Sequence, residues 1–193
     1  MLGHTGLTLG IATLLANLPG RHPAVRQGII SRIDSWFTNL AKLVDIRILM
    51  IGSMLPDIID KPIGQVIFKD TLSDGRIFSH TLVFLLLVSL IGLFVYRRNK
   101  NSWGLVLAFG TLTHLIFDEM WRIPGTLFWP AFGFGFPKAD LTRWLSNIFL
   151  ALFNNPRTYV PEILGGVVLL GFGVMLLRQR RIWVFIRYGR VKA

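Results

Sequence analysis

The stretch MLPDIID, residues 54 to 60, sets two carboxylates, Asp57 and Asp60, at the end of an apolar run that begins at Ile48. A carboxylate among hydrocarbon side chains is costly unless a cation or several hydrogen-bond donors meet it. Matching groups occur elsewhere in the chain. His4 stands near the start, RIFSHT carries Arg76 and His80, and THLIFDEMW carries His114, Asp118 and Glu119. Asp57 and Asp60 are three residues apart and His114 and Asp118 four apart, so on helices each pair shares a face and can point at a common centre. Helix bundles build metal sites from such inward pairs. Imidazole together with carboxylate suits zinc, with manganese or ferrous iron as alternatives, whereas oxygen ligands alone would suit magnesium or calcium. The six candidates His4, Asp57, Asp60, His80, His114 and Asp118 exceed the needs of one tetrahedral ion, and two ions sharing a carboxylate fit their number better. Taken singly, each piece has a plainer reading as a turn, a hydrogen-bonded core histidine or a chance HxxxD. What favours a metal is that all six fall at one end of the expected helices.

Those helices are read from composition. Over 193 residues, 52% are hydrophobic, the mean hydropathy is +0.55, and the apolar residues are bunched. An all-α integral membrane bundle of about five inserted helices follows, in a single domain spanning 1–193. Leu82–Tyr96, Trp103–Phe117 and Ile163–Leu177 become spans of roughly 20 residues once their flanks are added. Gly6–Leu18 and Ile46–Ile59 are as apolar but shorter. The start has no basic run ahead of its apolar stretch, so no cleaved signal peptide is expected. Without cysteine, thiolate sites and disulfides are excluded. Two amphipathic interfacial helices are expected, one over Val25–Val44 and one over Leu141–Phe153.

The net charge of +11 does not point to nucleic acid, because its placement follows the helix ends. If the segments alternate in direction, Arg21, Arg26, Arg32, Lys42 and Arg47 fall with the RRNKN turn and the RQRRIWVFIRYGR tail, opposed there only by Asp34 and Asp45. This is the positive-inside pattern. It predicts an inner-membrane protein with a cytoplasmic basic tail (162–193 with the last helix) and an extracytoplasmic N-terminus. The metal-site helices (within 1–122) would open outward beside an aromatic interfacial segment (123–161). His22 falls on the basic side, as a solvated residue.

An N-terminal His, GSMLPDIID followed by Lys-Pro, RxFSHT, THLIFD and a later LFWP together resemble the YdjM-like family of predicted membrane-bound metal-dependent hydrolases, over roughly Met1 to Pro130. By that resemblance the family's motif residues fall on His4, Asp57, Asp60, His80, His114 and Asp118. Lys61 stands where members often have His. More remotely, the order His4, Asp57, His80, His114, Asp118 is similar to that of the zinc-dependent phospholipase C and S1/P1 nuclease group, although no histidine follows His114 here. The resemblances imply hydrolysis, and the remote one implies a phosphoester. The expected arrangement is one ion held by Asp57, His80, His114 and Asp118, and a second by His4, Asp60 and a shared Asp118. Asp60 or Glu119 would act as general base, and Arg76, with Arg122 near it, would clamp an anion. At headgroup depth the substrate would be a membrane lipid. The opposing expectations are a non-catalytic metal or ion/proton carrier, disfavoured by the few polar residues at mid-helix, and a purely structural clasp of helix ends. Oligomeric state is not legible.

Overall fold

The computed structural model describes residues 2–16, 40, 44–68, 72, 74–137, 150 and 153–189. The expected helices over Val25–Val44 and Leu141–Phe153 lie almost wholly outside the described residues, as does His22. The described elements are helical, with no strand among them: α1 (Leu2–Ala16), α2 (Ile46–Lys61), a π-helical turn (Pro62–Ile67), a 3-10 turn (Phe78–His80), α3 (Leu82–Asn99), α4 (Trp103–Phe117), a second 3-10 turn (Met120–Arg122), the short α5 (Pro124–Leu127), α6 (Pro156–Arg178) and α7 (Ile182–Tyr188).

Local sequence sets the ends. Asp45 caps α2 by accepting from the Arg47 amide at 2.9 Å, and Thr81 caps α3 by accepting from the Phe84 amide at 3.1 Å. These are the side-chain oxygens that an uncapped first turn lacks. Among the described residues two helices, α3 and α6, are long and apolar enough to cross a membrane. At 1.5 Å per residue they run roughly 27 and 34 Å. Two such spans do not confirm the expected five, and α1 and α4 are shorter apolar helices. α4 stops at 15 residues, because its flanks are polar: Asn101 accepts from the Trp103 amide before it, and Glu119 turns left-handed after it. α1 is apolar but equally short. The last helix begins earlier than expected, at Pro156, where a proline costs no hydrogen bond and Asn155 accepts from the Arg157 amide at 3.1 Å.

Glycines let the helices approach closely. α1 crosses α6 where Gly6 meets Gly165, α2 crosses α4 where Gly52 meets Leu107 and Gly110, and α3 crosses α4 where Gly92 meets Gly104. A Cβ on Gly110 would lie 2.7 Å from the Gly52 carbonyl carbon and the Ser53 nitrogen. Backbone contact of this kind is how helices pack when apolar burial alone gives no preference between helix and lipid. Toward one end Leu9, Ile46, Leu49, Val106, Phe172, Met175 and Leu176 form the apolar core. The basic residues of α3 and α6 (Arg97, Arg98, Arg178) end their helices on that side, and Arg47 donates to the Ile186 carbonyl of α7 at 2.7 Å. The opposite end is polar and buried. Gly110→Val should therefore destabilise the fold by about 1–3 kcal/mol by forcing α2 from α4, read as a lowered melting temperature in detergent, while a valine at the open Gly171 should leave it unchanged.

Candidate metal centre

Pro56 explains why α2 can serve a site. Lacking an N–H, it leaves the Gly52 carbonyl without its helical donor and tilts the chain there. Thr111 of α4 leans on that carbonyl, its Oγ1 at 3.4 Å. One residue on, the Ser53 carbonyl accepts from His114 Nδ1 at 2.7 Å. A carbonyl can only accept, so the His114 proton is on Nδ1 and Nε2 carries a lone pair.

His80 is fixed in the same sense by Asp60. The turn that opens α3 aims the amides of Ile77, Ser79 and His80 at the Asp60 carboxylate, at 2.8, 2.9 and 3.2 Å, and His80 Nδ1 lies 2.7 Å from Asp60 Oδ2. With 0% exposure, Asp60 is a buried anion whose charge is met by four donors, which is what makes it tolerable there. His80 Nδ1 is thus the donor, and its Nε2 faces the centre.

The two Nε2 atoms meet at hydrogen-bond distance, 3.2 Å apart. Asp57 Oδ1 completes a triangle with them, at 3.7 Å from His80 and 3.9 Å from His114. Asp57, His80 and His114 are all buried and form the group among the described residues whose ligand atoms converge as a metal requires. Asp118 Oδ2 lies 3.6 Å from His80 Nε2, beside that group of three. Two nitrogens each about 2.0–2.1 Å from a tetrahedral zinc would be about 3.3–3.4 Å apart. The donor set and its spacing therefore fit a divalent ion. The carboxylate behind His80 and the carbonyl behind His114 are the partners that metal-bound histidines need for orientation.

Around the triangle the remaining predicted residues divide. His4, in the first turn of α1, places Nε2 3.0 Å from Asp118 Oδ1 and its ring 4.7 Å from that of His114, and its Nδ1 is a buried atom without a partner among the described residues. Arg76 Nε donates to Asp118 Oδ2 at 2.6 Å. Burial of that guanidinium works against its charge, but Asp118, Asp74 and Asp57 outweigh this and hold its pKa above the usual value. Asp60 departs from its expected place as ligand or base, because its oxygens face the His80 ring and the turn amides rather than the centre. Glu119 and Arg122 pair with each other at 2.9 Å, both substantially exposed, and take no part in the triangle. Sequence reasoning left out two contributors. Lys61 Nζ donates to Asp57 Oδ2 at 2.7 Å, a contact legible as an Asp–Lys pair four apart on one helix. The Ser53 carbonyl had no side-chain signal, although Pro56 three residues on marks where carbonyls turn outward.

The residues 1–187 match the family described as YdjM inner membrane protein. The chain belongs to that family. It is an inner membrane protein family, which accords with two helices able to span a bilayer. Searches of curated proteins and of solved structures returned no match. Within this YdjM-family chain, Asp60→Asn should weaken zinc binding by about 10–100-fold. The amide would donate to His80 Nδ1 and drive its proton onto Nε2, the atom needed for the ion. Competition with a chromophoric chelator measures the loss, and circular dichroism checks that helix content is kept.

Proposed function

We propose that this chain is a membrane-embedded, metal-dependent hydrolase acting on a lipid phosphoester at the extracytoplasmic face of the inner membrane. The observation that carries the reading is the pair of imidazoles whose Nδ1 protons are tied to Asp60 and to the Ser53 carbonyl, so that both Nε2 atoms and Asp57 meet in one buried place. A divalent ion there supplies Lewis acidity and lowers the pKa of water. The chain's own part is to hold it with Asp57, His80, His114 and Asp118, and to keep His80 and His114 in the needed tautomers. Arg76, half-exposed on Asp118, gives an anionic substrate a charged group to approach.

The phosphoester rests on the remote resemblance of residue order to the phospholipase C group, and the lipid on position. Ligands come from the same end of α1, α2, α3 and α4, beside exposed aromatic residues Trp121, Phe128, Phe132 and Phe134, the composition of a membrane–water boundary. Orientation follows from the basic opposite end. Elemental analysis of detergent-purified protein should find zinc, manganese or iron in the wild type and none after combined Asp57→Ala and His114→Ala substitution. Metal retained in the double variant, or no phosphorus-containing product released from phospholipid micelles by the loaded protein, would sink the reading. In cells, an impermeant thiol reagent added from outside should label Phe134→Cys and spare Arg97→Cys; the reverse pattern would place the site at the cytoplasmic leaflet.

A further inference from the structure

The carboxylates around the imidazole pair are already shared with organic cations, and we propose that this is a one-metal centre in which Lys61 occupies the place a second metal would take on Asp57, while Arg76 ties up Asp118. This rests on the metal reading above and differs from the expectation of two ions drawn from the number of candidate ligands.

Two ions in a hydrolytic pair lie about 3.5–4 Å apart and share a carboxylate, each bound to one of its oxygens. Asp60 cannot serve, since its oxygens accept from the amides of Ile77, Ser79 and His80 and from the His80 ring. That leaves Asp57 and Asp118. Asp57 turns Oδ1 toward the two imidazoles, and its Oδ2 is held by Lys61 Nζ at 2.7 Å. Asp118 meets Arg76 through Oδ2 at 2.6 Å and His4 through Oδ1 at 3.0 Å. The outer oxygen of Asp57 is therefore filled by an ammonium, while on Asp118 a guanidinium holds Oδ2, the oxygen nearest His80, and His4 meets Oδ1.

Lys61 is built into this place. It sits one turn beyond Asp57 on α2, where a residue four along faces its neighbour, and its stem runs past Gly75, where a Cβ would come within 3.2 Å of Lys61 Cγ. Gly75 is followed directly by Arg76, so the turn that brings in the guanidinium also makes room for the ammonium. The π-helical turn that starts at Pro62 begins immediately after Lys61, and such turns recur at functional sites. The side chains of Lys61 and Arg76 are 33% and 43% exposed, enough to be reached from outside. Each has N–H donors beyond the one its aspartate accepts. An anionic phosphoester would thus meet one ion on the imidazole side and two fixed cations on the other, with no second metal to be lost.

The test is stoichiometry on the full chain, stripped with a chelator in detergent and titrated with zinc. One equivalent is expected in the wild type. Lys61→Met should keep that equivalent and bind it at least about tenfold tighter, since a like charge a few ångströms from the ion has been removed. Two equivalents in the wild type would overturn the one-metal centre while leaving the metal reading intact. No zinc in the wild type would overturn both. Weaker binding in Lys61→Met would show that the ammonium supports the ion instead of standing in a rival's place, and would equally overturn the inference.

Discussion

Two imidazoles turned so that their Nε2 atoms meet 3.2 Å apart are the contact on which the polar end of this bundle depends. Everything at the polar end of this bundle serves to impose it. Asp60 is sunk completely and satisfied by a turn so that it can grip one imidazole from behind. A proline inside α2 loosens the carbonyls that face α4, and the carbonyl of Ser53 takes the other imidazole. Glycines at the α2–α4 crossing bring the two backbones close enough for that short bond to form. Had Gly52 or Gly110 carried a side chain, the Ser53 carbonyl and the His114 ring would stand too far apart.

The electrostatics follow from the same geometry. Three aspartates within a few ångströms of one another would repel if left bare. Here Asp60 is neutralised by amide dipoles and a ring N–H, Asp57 by Lys61, and Asp118 by Arg76 and His4. Each carboxylate thus meets donors or cations inside an apolar bundle, which is what a buried negative group needs. The hydroxyls beneath the site have a humbler part. Thr8 and Thr113 share a hydrogen bond of 2.8 Å, and Ser53 Oγ lies 3.4 Å from Thr5 Oγ1, tying α1 to its neighbours with small polar groups where side-chain bulk would push them apart.

Much of this was legible from the residues alone. The spacing of Asp57 with Asp60 and of His114 with Asp118, read with alternating helix directions, brought His4, Asp57, His80, His114 and Asp118 to one end, and the structure places them together. What spacing could not distinguish was which carboxylate faces the ion and which supports a ligand from behind: Asp57 and Asp60 look alike on a helical face, and only the turn over Ile77–His80 separates them. Backbone groups leave no trace in residue type, so the Ser53 carbonyl was invisible. Helix ends were harder to read, because hydropathy reads through polar flanks such as Asn101–Ser102, whereas helix formation stops at them. A list of acids and imidazoles likewise omits the cations, Lys61 and Arg76, that sit on the same oxygens.

The glycine contact between α1 and α6 has a consequence for biogenesis. α2, the His80 turn and α4 pack on one another through segments close in sequence, so most of the centre can form as soon as α4 has entered the membrane. His4 is different: its helix lies against Gly165 of α6 through Gly3 and Gly6, and the Gly3 amide donates to Glu162 at 3.1 Å. The histidine that holds the outer oxygen of Asp118 is thus steadied by a helix synthesised some 160 residues after it. The centre is finished last, by the meeting of helices far apart in the chain, and a partly inserted protein would carry the imidazole pair without the wall that closes over it.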